Sequence, residues 1–289
     1  NPDFRIIFNT QNGIFSSYQY HGHELIKEGL RPNFWRPVTD NDLGNGLQQR
    51  CEIWKNAGDS AKLKDIKIKR VSAQQVNIHT ELALPVPGAT CIVDYQILGN
   101  GEMKVHFELL TRNDSLPEIP RIGMRMILQP ALDSLTWLGR GPHENYWDRK
   151  AAAAVDLYKS SVEAQYYPYN RAQETGNKTD VRWMALHDNA GTGLMAIGHP
   201  LLSVCALHFD MHKLDYVPLK NIHGGSITND DLIWWDIDFK QMGLGGDNSW
   251  GAKTHAEYTL PAKNYQYDFV LRPISANDSL IETSKEEYY

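Results

Sequence analysis

The sequence has few cysteines and no long hydrophobic run. Its 289 residues include three cysteines, Cys51, Cys91 and Cys205, which lie far apart. An odd number of widely spaced cysteines argues against a disulfide scaffold and against a cysteine-rich zinc site. No stretch of about 18 consecutive apolar residues is present, so the sequence predicts no membrane-spanning helix.

An excess of basic residues is also missing. The chain carries 29 Lys and Arg against 35 Asp and Glu, which gives a net charge of -6. Nucleic-acid binding usually needs a basic surface, so we expect no nucleic-acid partner. The motifs of phosphate loops, nucleophile elbows and zinc proteases do not occur either. Because the sequence begins with Asn1 and shows no signal peptide pattern, we interpret it as part of a longer protein.

Apolar residues are plentiful and arranged mainly as in strands. They make up 42% of the chain, which is enough for a sizeable core. Apolar and polar residues alternate clearly over 103–109 and 265–271, the period of a half-buried strand. One stretch, 47–57, has helical spacing instead and is followed by Gly58, a typical stop signal. Many strands, one short helix and no βαβ rhythm predict an all-β antiparallel sandwich.

The domain organisation predicted from this pattern is simple. We expect one domain over residues 1–274, because no repeat, linker or low-complexity segment interrupts the strands. Residues 275–289 are polar and charged. We expect this tail to fray or to extend as a linker.

The glycine-rich stretch 243–250 follows one strand-like run and precedes another. Three glycines in four positions allow unusual backbone angles, and Asp247 and Asn248 favour turns. The stretch ends in Trp250, where a loop would normally be polar. Two interpretations are open. Trp250 is either a platform on which the apolar face of a sugar stacks, or a lid that folds back onto the core.

The run Asp-Asn-Asp over 40–42 lies next to aromatic residues and Arg36. Asp40 and Asn41 could line a site for a polyol. The run also resembles the start of a calcium loop, but Cys51 stands where the twelfth position needs a bidentate Glu. Alternatively, the two acids bond backbone amides and cap the following helix.

The block 139–149 contains acids and bases at close spacing. His143 could act as a general acid or base. Glu144 and Asp148 could form the carboxyl pair of a glycosidase, although sequence spacing does not fix their separation. Arg140 and Arg149 are near enough to pair with both acids, which favours a structural cluster of ion pairs.

The polar stretch 168–183 precedes a clear strand. Glu174, Asn177, Asp180 and Arg182 are groups that bind sugar hydroxyls or that join a loop to a neighbouring domain. The residues alone do not separate these two interpretations.

A last set, His208, Asp210 and His212, would share one face of a strand and could hold a metal. A further ligand is not evident nearby. We therefore favour an ordinary solvated strand face.

Four blocks in this order resemble a known family. They are Arg36-Pro-Val-Thr-Asp-Asn-Asp42, Gly139-Arg-Gly-Pro-His-Glu-Asn-Tyr-Trp-Asp-Arg149, Gln173-Glu-Thr-Gly-Asn-Lys-Thr-Asp-Val-Arg-Trp183 and Gly243-Leu-Gly-Gly-Asp-Asn-Ser-Trp250. Together they resemble the C-terminal, or small-chain, domain of bacterial β-galactosidases of glycoside hydrolase family 2. Trp147 stands where the family commonly has Pro, and Thr175 interrupts the third block.

The resemblance implies a large antiparallel supersandwich similar to galactose mutarotases. It implies a retaining hydrolase of terminal β-galactosides such as lactose. Both catalytic glutamates and the magnesium site would lie in a TIM barrel outside this chain, so we expect no catalytic residue and no cofactor here. The expected partners are the barrel, the other domains and further copies of the parent enzyme. The bacterial family leaves both the periplasm and the cytoplasm open.

The resemblance also favours the platform interpretation of Trp250. Trp250, Asp247 and Asn248 are then the predicted substrate-binding residues. A polar site or domain interface is predicted for six residues, namely Asp40, Asn41, His143, Glu144, Glu174 and Arg182.

Two alternative functions stay open at this point. The first is a free-standing aldose 1-epimerase, in which His143 or His187 would act with Glu144 or Glu174 as the acid and base. The second is a non-catalytic carbohydrate-binding or assembly module. Fold alone does not decide among these functions.

Overall fold

The structure, a computed structural model, describes residues 3–248 and 250–286. Antiparallel strands make up most of the regular secondary structure of these residues, which confirms the predicted all-β class. The strands are β1 (Phe4–Asn9), β2 (Ile14–Tyr20), β3 (His23–Glu24), β4 (Ile26–Asn33), β5 (Lys62–Ser72), β6 (Gln75–Ala83), β7 (Ala89–Leu98), β8 (Met103–Thr111), β9 (Arg121–Leu128), β10 (Ser134–Gly141), β11 (Ala154–Ser161), β12 (Lys178–His187), β13 (Gly193–Leu207), β14 (Ile233–Gln241) and β15 (Tyr265–Ile274).

The strands are organised in two sheets. A three-stranded sheet contains β1, β2 and β3, and a twelve-stranded sheet contains the rest. In the large sheet β5, β6, β7 and β8 form a meander, and β15 connects β8 to β13. Beyond β13 lie β12, β10 and the edge strand β11.

β13 joins the two layers of the sandwich. Its first part, from Gly193 to His199, pairs with β15, whereas its second part, from Ser203 to Leu207, pairs with β14. β14 then pairs with β9, and β9 with β4. One layer therefore contains β5 to β8 and β15, the other contains β4, β9 and β14, and β13 passes from one to the other.

The core lies between these layers and follows from the alternating pattern. In β8, Met103, Val105, Phe107 and Leu109 are buried, while the residues between them are half-exposed. They belong to one apolar cluster with side chains of β9, β14 and β15. Burial of each large apolar side chain contributes about 1.5–3 kcal/mol, so this cluster is the main source of stability.

Three short α-helices are found in the described residues: α1 (Asp40–Gly44), α2 (Leu47–Arg50) and α3 (Leu280–Thr283). The helix predicted over 47–57 is present as α2 and a 3₁₀ helix, Glu52–Trp54. Its predicted apolar face is correct, because Leu47, Cys51 and Trp54 are all buried.

The segment after β15 differs from the expected frayed tail. Ser279 caps α3 by accepting a hydrogen bond from the backbone N–H of Glu282 at 3.4 Å. Leu280 packs against an apolar cluster that includes Trp183 and Ile197. Capping and apolar contact together hold this segment against the sheet. The domain boundary after residue 274 stays a prediction.

Within 3–248 and 250–286, the helices are all too short or too polar to cross a membrane.

Candidate functional site

The four sequence blocks meet in one cleft of about 370 Å³ at one end of the sandwich. Each block contributes side chains to its walls. The lining residues are Thr39, Asp40, Asn41, Asp148, Arg149, Tyr169, Gln173, Glu174, Leu244 and Gly245. Blocks that are up to two hundred residues apart in sequence thus form a single candidate site.

The first wall is the start of α1. Thr39 and Asp42 form a capping box, in which each side chain accepts a hydrogen bond from the backbone N–H of the other residue. Asp42 also pairs with Arg36 at 2.5 Å, and both side chains are buried. The capping interpretation is therefore correct for Asp42. Asp40 is exposed at the rim and pairs with Arg171.

The glycine-rich loop is held from the other blocks. Asp148 Oδ2 accepts hydrogen bonds from the backbone N–H groups of Leu244 at 2.9 Å and Gly245 at 2.7 Å. Asn41 donates to the carbonyl of Leu244 at 3.4 Å. A Cβ atom on Gly243 would lie 2.8 Å from the carboxyl carbon of Asp148. Close approach of the loop to Asp148 therefore requires glycine here.

Trp250 stands out from this loop into solvent. Its side chain is 90% exposed, so the interpretation as a lid on the core is wrong. Asn248 Oδ1 accepts hydrogen bonds from the backbone N–H groups of Trp250 at 2.9 Å and Ala252 at 3.3 Å. Asp247 pairs with His255 at 2.7 Å. Ser249 lies outside the described residues.

Glu144 is bound on several sides. One carboxylate oxygen pairs with Arg149 at 2.7 Å and accepts the hydroxyl of Tyr169. The other accepts the hydroxyl of Thr175 at 3.0 Å and the backbone N–H of Gly176 at 2.8 Å. Glu144 thus links the second and third blocks, and four hydrogen bonds leave it poorly suited to accept a proton from a substrate.

The predicted ion-pair cluster is correct for Glu144 and wrong for Asp148. Asp148 holds the glycine-rich loop instead of an arginine. Arg140 pairs with Asp180 at 2.5 Å. The difference arises because β10 runs beside β12, which brings Arg140 next to the strand that carries Asp180.

Three of the nine predicted site residues line the cleft, namely Asp40, Asn41 and Glu174, and the other six do not. His143 is exposed. Arg182 donates a hydrogen bond to the backbone carbonyl of Asp180 at 2.7 Å. Asn177 is buried and joins neighbouring segments, because it donates to the carbonyl of Asn145 and accepts the hydroxyl of Ser203, both at 2.8 Å.

The acid–base pair of an epimerase is not assembled through His187. β12 has ten residues, and His187 is its last. A strand of that length spans roughly 30 Å. Glu144 bonds Gly176, at the opposite end of β12, and Glu174 lies on the same side. His187 is therefore far from both glutamates.

The floor of the cleft is a buried cluster of charges around Glu174. Glu174 lies 3.3 Å from Arg121 and accepts a hydrogen bond from Gln241 at 3.2 Å. Arg121 in turn lies 2.7 Å from Asp236 and 3.5 Å from Asp238. Burial raises the pKa of Glu174 to about 7, although Arg121 opposes this rise.

The two aspartates of this cluster have opposite pKa shifts. Burial would raise the pKa of Asp236, but Arg125 and Arg121 together hold it below its ordinary value. Burial raises the pKa of Asp238 well above its ordinary value, because Arg121 compensates it only in part and Asp236 is a nearby like charge. One arginine is shared among three acids.

Sequence reasoning missed this cluster, although a signal was present. Asp236 and Asp238 lie inside a strongly apolar run, Ile233–Gln241. Acids are rarely buried without a partner. Charged residues at alternate positions of an apolar strand therefore indicate buried ion pairs. The identity of the partner, Arg121, is not predictable from spacing.

The candidate metal face at His208, Asp210 and His212 is not assembled. His208 pairs with Asp133 at 2.8 Å, and His212 pairs with Asp215 at 2.9 Å. The hydrogen bonds of His212 to Asp215 and Asp59 raise the pKa of His212 to about 9. In the part of the chain that the structure describes, no group of three or more His, Cys, Asp and Glu side chains could hold a metal ion.

Comparison with known proteins supports the family that the four blocks indicate. The model of the family described as beta galactosidase small chain matches residues 1–271, and the chain belongs to this family. A β-galactosidase from Priestia megaterium is 44% identical over 273 residues, which is 94% of this chain. A β-galactosidase from Lactobacillus delbrueckii subsp. bulgaricus is 33% identical over 274 residues, again 94% of this chain.

These relatives are much longer than this chain. The matched region is 26% of each of the two, so the chain spans about a quarter of the length of the curated relatives that it matches. Among solved structures, galactose 1-epimerase from Lactobacillus acidophilus has a TM-score of 0.48 and 9% identity, with 94% of this chain and 92% of that chain covered.

Proposed function

We propose that this chain is the C-terminal domain of a retaining β-galactosidase of glycoside hydrolase family 2. In this proposal the parent enzyme hydrolyses terminal β-galactosides such as lactose, and Trp250 of this domain contacts the sugar. The observation that carries the proposal is the exposure of Trp250 on a loop that is otherwise firmly bonded.

The chemistry of the indole ring suits this role. A pyranose has an apolar face of C–H groups, and a large aromatic ring buries much of that face when the two stack. Asp148 and Asn248 hold the backbone on both sides of the glycine-rich turn. Little conformational freedom is then lost when the sugar arrives, which favours binding.

The carboxylates in and next to the cleft already have partners within this chain, which supports a site without its own catalytic pair. Retaining hydrolysis needs two carboxyl groups about 5–5.5 Å apart on either side of the scissile bond, one as acid and one as nucleophile. Glu144 makes four hydrogen bonds, Asp148 holds the loop, and Glu174 pairs with Arg121. We therefore assign both catalytic glutamates, and the magnesium site, to a barrel outside this chain.

Other parts of the proposal follow from the geometry of the rim. Asn248 and Asp247 are assigned to the loop that positions Trp250, since each bonds within that loop or to His255. Asp40 and Asn41 lie at the open side of the cleft, where the barrel or another domain of the parent chain would meet it. Assembly of the parent enzyme into a homo-oligomer is part of the same proposal.

The test is the Trp250→Leu substitution in the full-length parent enzyme. A stacking contact of this size contributes about 1–3 kcal/mol to binding. KM for lactose should therefore rise about 5-fold to 150-fold, with a smaller change in kcat. Steady-state kinetics on lactose measure both constants.

The matched control is Trp250→Phe, which keeps an aromatic face at the same position. It should retain most of the affinity and raise KM by less than about 5-fold. An unchanged KM in Trp250→Leu would contradict the proposed stacking contact, as would an equal loss in the Leu and Phe variants.

A further inference from the structure

Four consecutive apolar residues lie on the surface of the domain. They are Tyr216, Val217, Pro218 and Leu219, and all four are exposed. The side chain of Leu219 is the extreme case, at 106% relative exposure. A run of exposed apolar residues is unfavourable in a folded domain unless the run has a function. We refer to residues 216–219 as the apolar tip.

The backbone of the apolar tip is a closed turn. The N–H of Lys220 donates a hydrogen bond to the carbonyl of Val217 at 3.1 Å. Pro218 and Leu219 are the two central residues, and Leu219 has φ of +65°. A turn with positive φ at its third position favours glycine or asparagine, because a side chain meets steric resistance there. Leu219 is therefore held outward in spite of a conformational cost.

Both ends of the apolar tip are attached to the rest of the domain. On one side, buried Asp215 accepts a hydrogen bond from the indole N–H of Trp35 at 2.8 Å. On the other side, the carbonyl of Ile222 accepts the N–H of Ala172 at 2.9 Å. Ala172 follows closely after Tyr169, which lines the cleft. Leu219 is three residues from Ile222, so it lies within roughly 11 Å of this anchor.

We propose that the apolar tip is a docking contact for another part of the parent polypeptide, with Leu219 inserted into an apolar pocket of that part. The chain spans 26% of the length of its relatives, so most of such a protein lies outside it. The tip is anchored through Ile222 to the segment that carries Tyr169, which lines the cleft. The proposed function places another domain at this cleft, and the inference rests on that function in this respect. It adds a specific contact that the substrate site does not need.

The first test is Leu219→Gly in the full-length parent protein, because the two explanations predict opposite signs. If Leu219 is only a strained and exposed residue, glycine relieves the strain and the melting temperature stays the same or rises. If Leu219 docks, the loss of its side chain lowers the melting temperature by about 2–4 °C. We expect the fall. An unchanged or higher melting temperature would overturn the inference.

The matched control is His21→Gly. His21 is also an exposed residue with positive φ, at +47°, and it lies in a different turn. Glycine there relieves strain and removes only the ring contact with Tyr20, at 4.1 Å between centroids, so the melting temperature should fall less than in Leu219→Gly. A fall as large as that of Leu219→Gly would show that glycine itself destabilises such turns, and it would remove the support for docking.

The second test is tryptic cleavage after Lys220, read by mass spectrometry of the parent protein. Lys220 is exposed in this chain and adjoins Leu219. Docking should protect it, and Leu219→Gly should speed cleavage about tenfold. Rapid cleavage of the unsubstituted parent would overturn the inference. Protection that disappears on dilution would assign the contact to a second copy and would also overturn it.

These readouts are separate from the test of the proposed function. If Trp250→Leu leaves KM unchanged while Lys220 is protected, the stacking role fails and the docking contact stands. If KM rises while Lys220 is cleaved freely, the docking contact fails and the stacking role stands.

Discussion

The floor and the rim of the cleft can be compared directly, since Glu174 at the floor and Trp250 at the rim both belong to the four sequence blocks. At the floor, Glu174, Arg121 and Asp236 are buried, and each has partners within this chain. At the rim, Trp250 and Leu219 are exposed, although the backbone around each is held by hydrogen bonds. The buried charges of the floor therefore have partners within the domain, whereas the rim presents side chains that this domain does not cover.

The difference separates the part of the domain that is stabilised by its own contacts from the part that the proposed function places against a ligand or another domain. A buried charge that loses its partner destabilises the fold directly. An exposed aromatic or aliphatic side chain adds little to the stability of its own domain. It contributes free energy only when a ligand or another protein surface buries it. Substitutions at the floor should therefore change stability, and substitutions at the rim should change binding or assembly.

The largest effect is expected for Arg121→Met. Arg121 is shared by Asp236, Asp238 and Glu174, all of them buried. Its removal leaves Glu174 and Asp238 without their nearest compensating charge and Asp236 with Arg125 alone, so the free energy of unfolding should fall by about 3–5 kcal/mol. Urea unfolding of the protein measures this change.

A surface pair provides the control for Arg121. Lys64 pairs with Glu81 at 2.6 Å, and their side chains are 60% and 27% exposed. Lys64→Met should cost less than about 1 kcal/mol, because exposed ion pairs contribute little. Equal losses of unfolding free energy in Arg121→Met and Lys64→Met would contradict the larger stabilising role of the buried charges.

The next effect is a pH dependence that comes from Glu174. Its pKa in the folded protein is about 7, above its ordinary value of 4.5. A carboxyl group with a raised pKa binds its proton more tightly when folded, so it contributes stability below pH 4.5 that is lost as the pH rises towards 7. The loss corresponds to about 3 kcal/mol. Unfolding curves recorded between pH 4.5 and 7.5 measure it.

Glu174→Gln isolates this contribution. Glutamine resembles the protonated acid and does not titrate, so the stability of the variant should change less over the same pH range. The difference in the free energy of unfolding between variant and unsubstituted protein should then grow with pH. A constant difference would assign the pH dependence to another group of the cluster, such as Asp238.

An intermediate effect is expected at Asp148, which connects the floor to the rim. Asp148→Ala removes two hydrogen bonds from a carboxylate to the glycine-rich loop. Its cost in the free energy of unfolding should be about 2 kcal/mol. Because the same bonds position Trp250, KM for lactose in the parent enzyme should rise as well. Asp148→Asn keeps an acceptor oxygen and should have a smaller effect on both quantities.

Much of the fold was predictable because it depends on local periodicity. The alternation over 103–109 predicted which side chains of β8 face the core, since strands place successive residues on opposite faces. The meeting of the four blocks in one cleft was not predictable from spacing. It depends on pairings such as β9 with β14 and β10 with β12, which join residues far apart in sequence.

The roles of individual site residues were less predictable. A glycine-rich loop ending in Trp250 fits a lid or a platform equally well, and only the surrounding surface decides between them. Glu144 and Asp148 looked alike in sequence, yet one binds side chains of two blocks and the other binds a loop. Local chemistry therefore pointed to the blocks that surround the cleft, while long-range geometry determined what each residue holds.

The smallest effect is expected for Asp247→Asn. This substitution tests whether Trp250 alone contacts the sugar or whether Asp247 does so as well. Asp247 is 79% exposed and pairs with His255, which is also largely exposed. Exposed pairs contribute little to stability, and a carboxylate that is surrounded by water binds a sugar hydroxyl only weakly. We expect an unchanged melting temperature and a rise in KM for lactose of less than about 3-fold. A rise of about 10-fold or more at unchanged kcat would instead put Asp247 in contact with the galactoside, as the sequence alone suggested, and would extend the binding surface beyond Trp250.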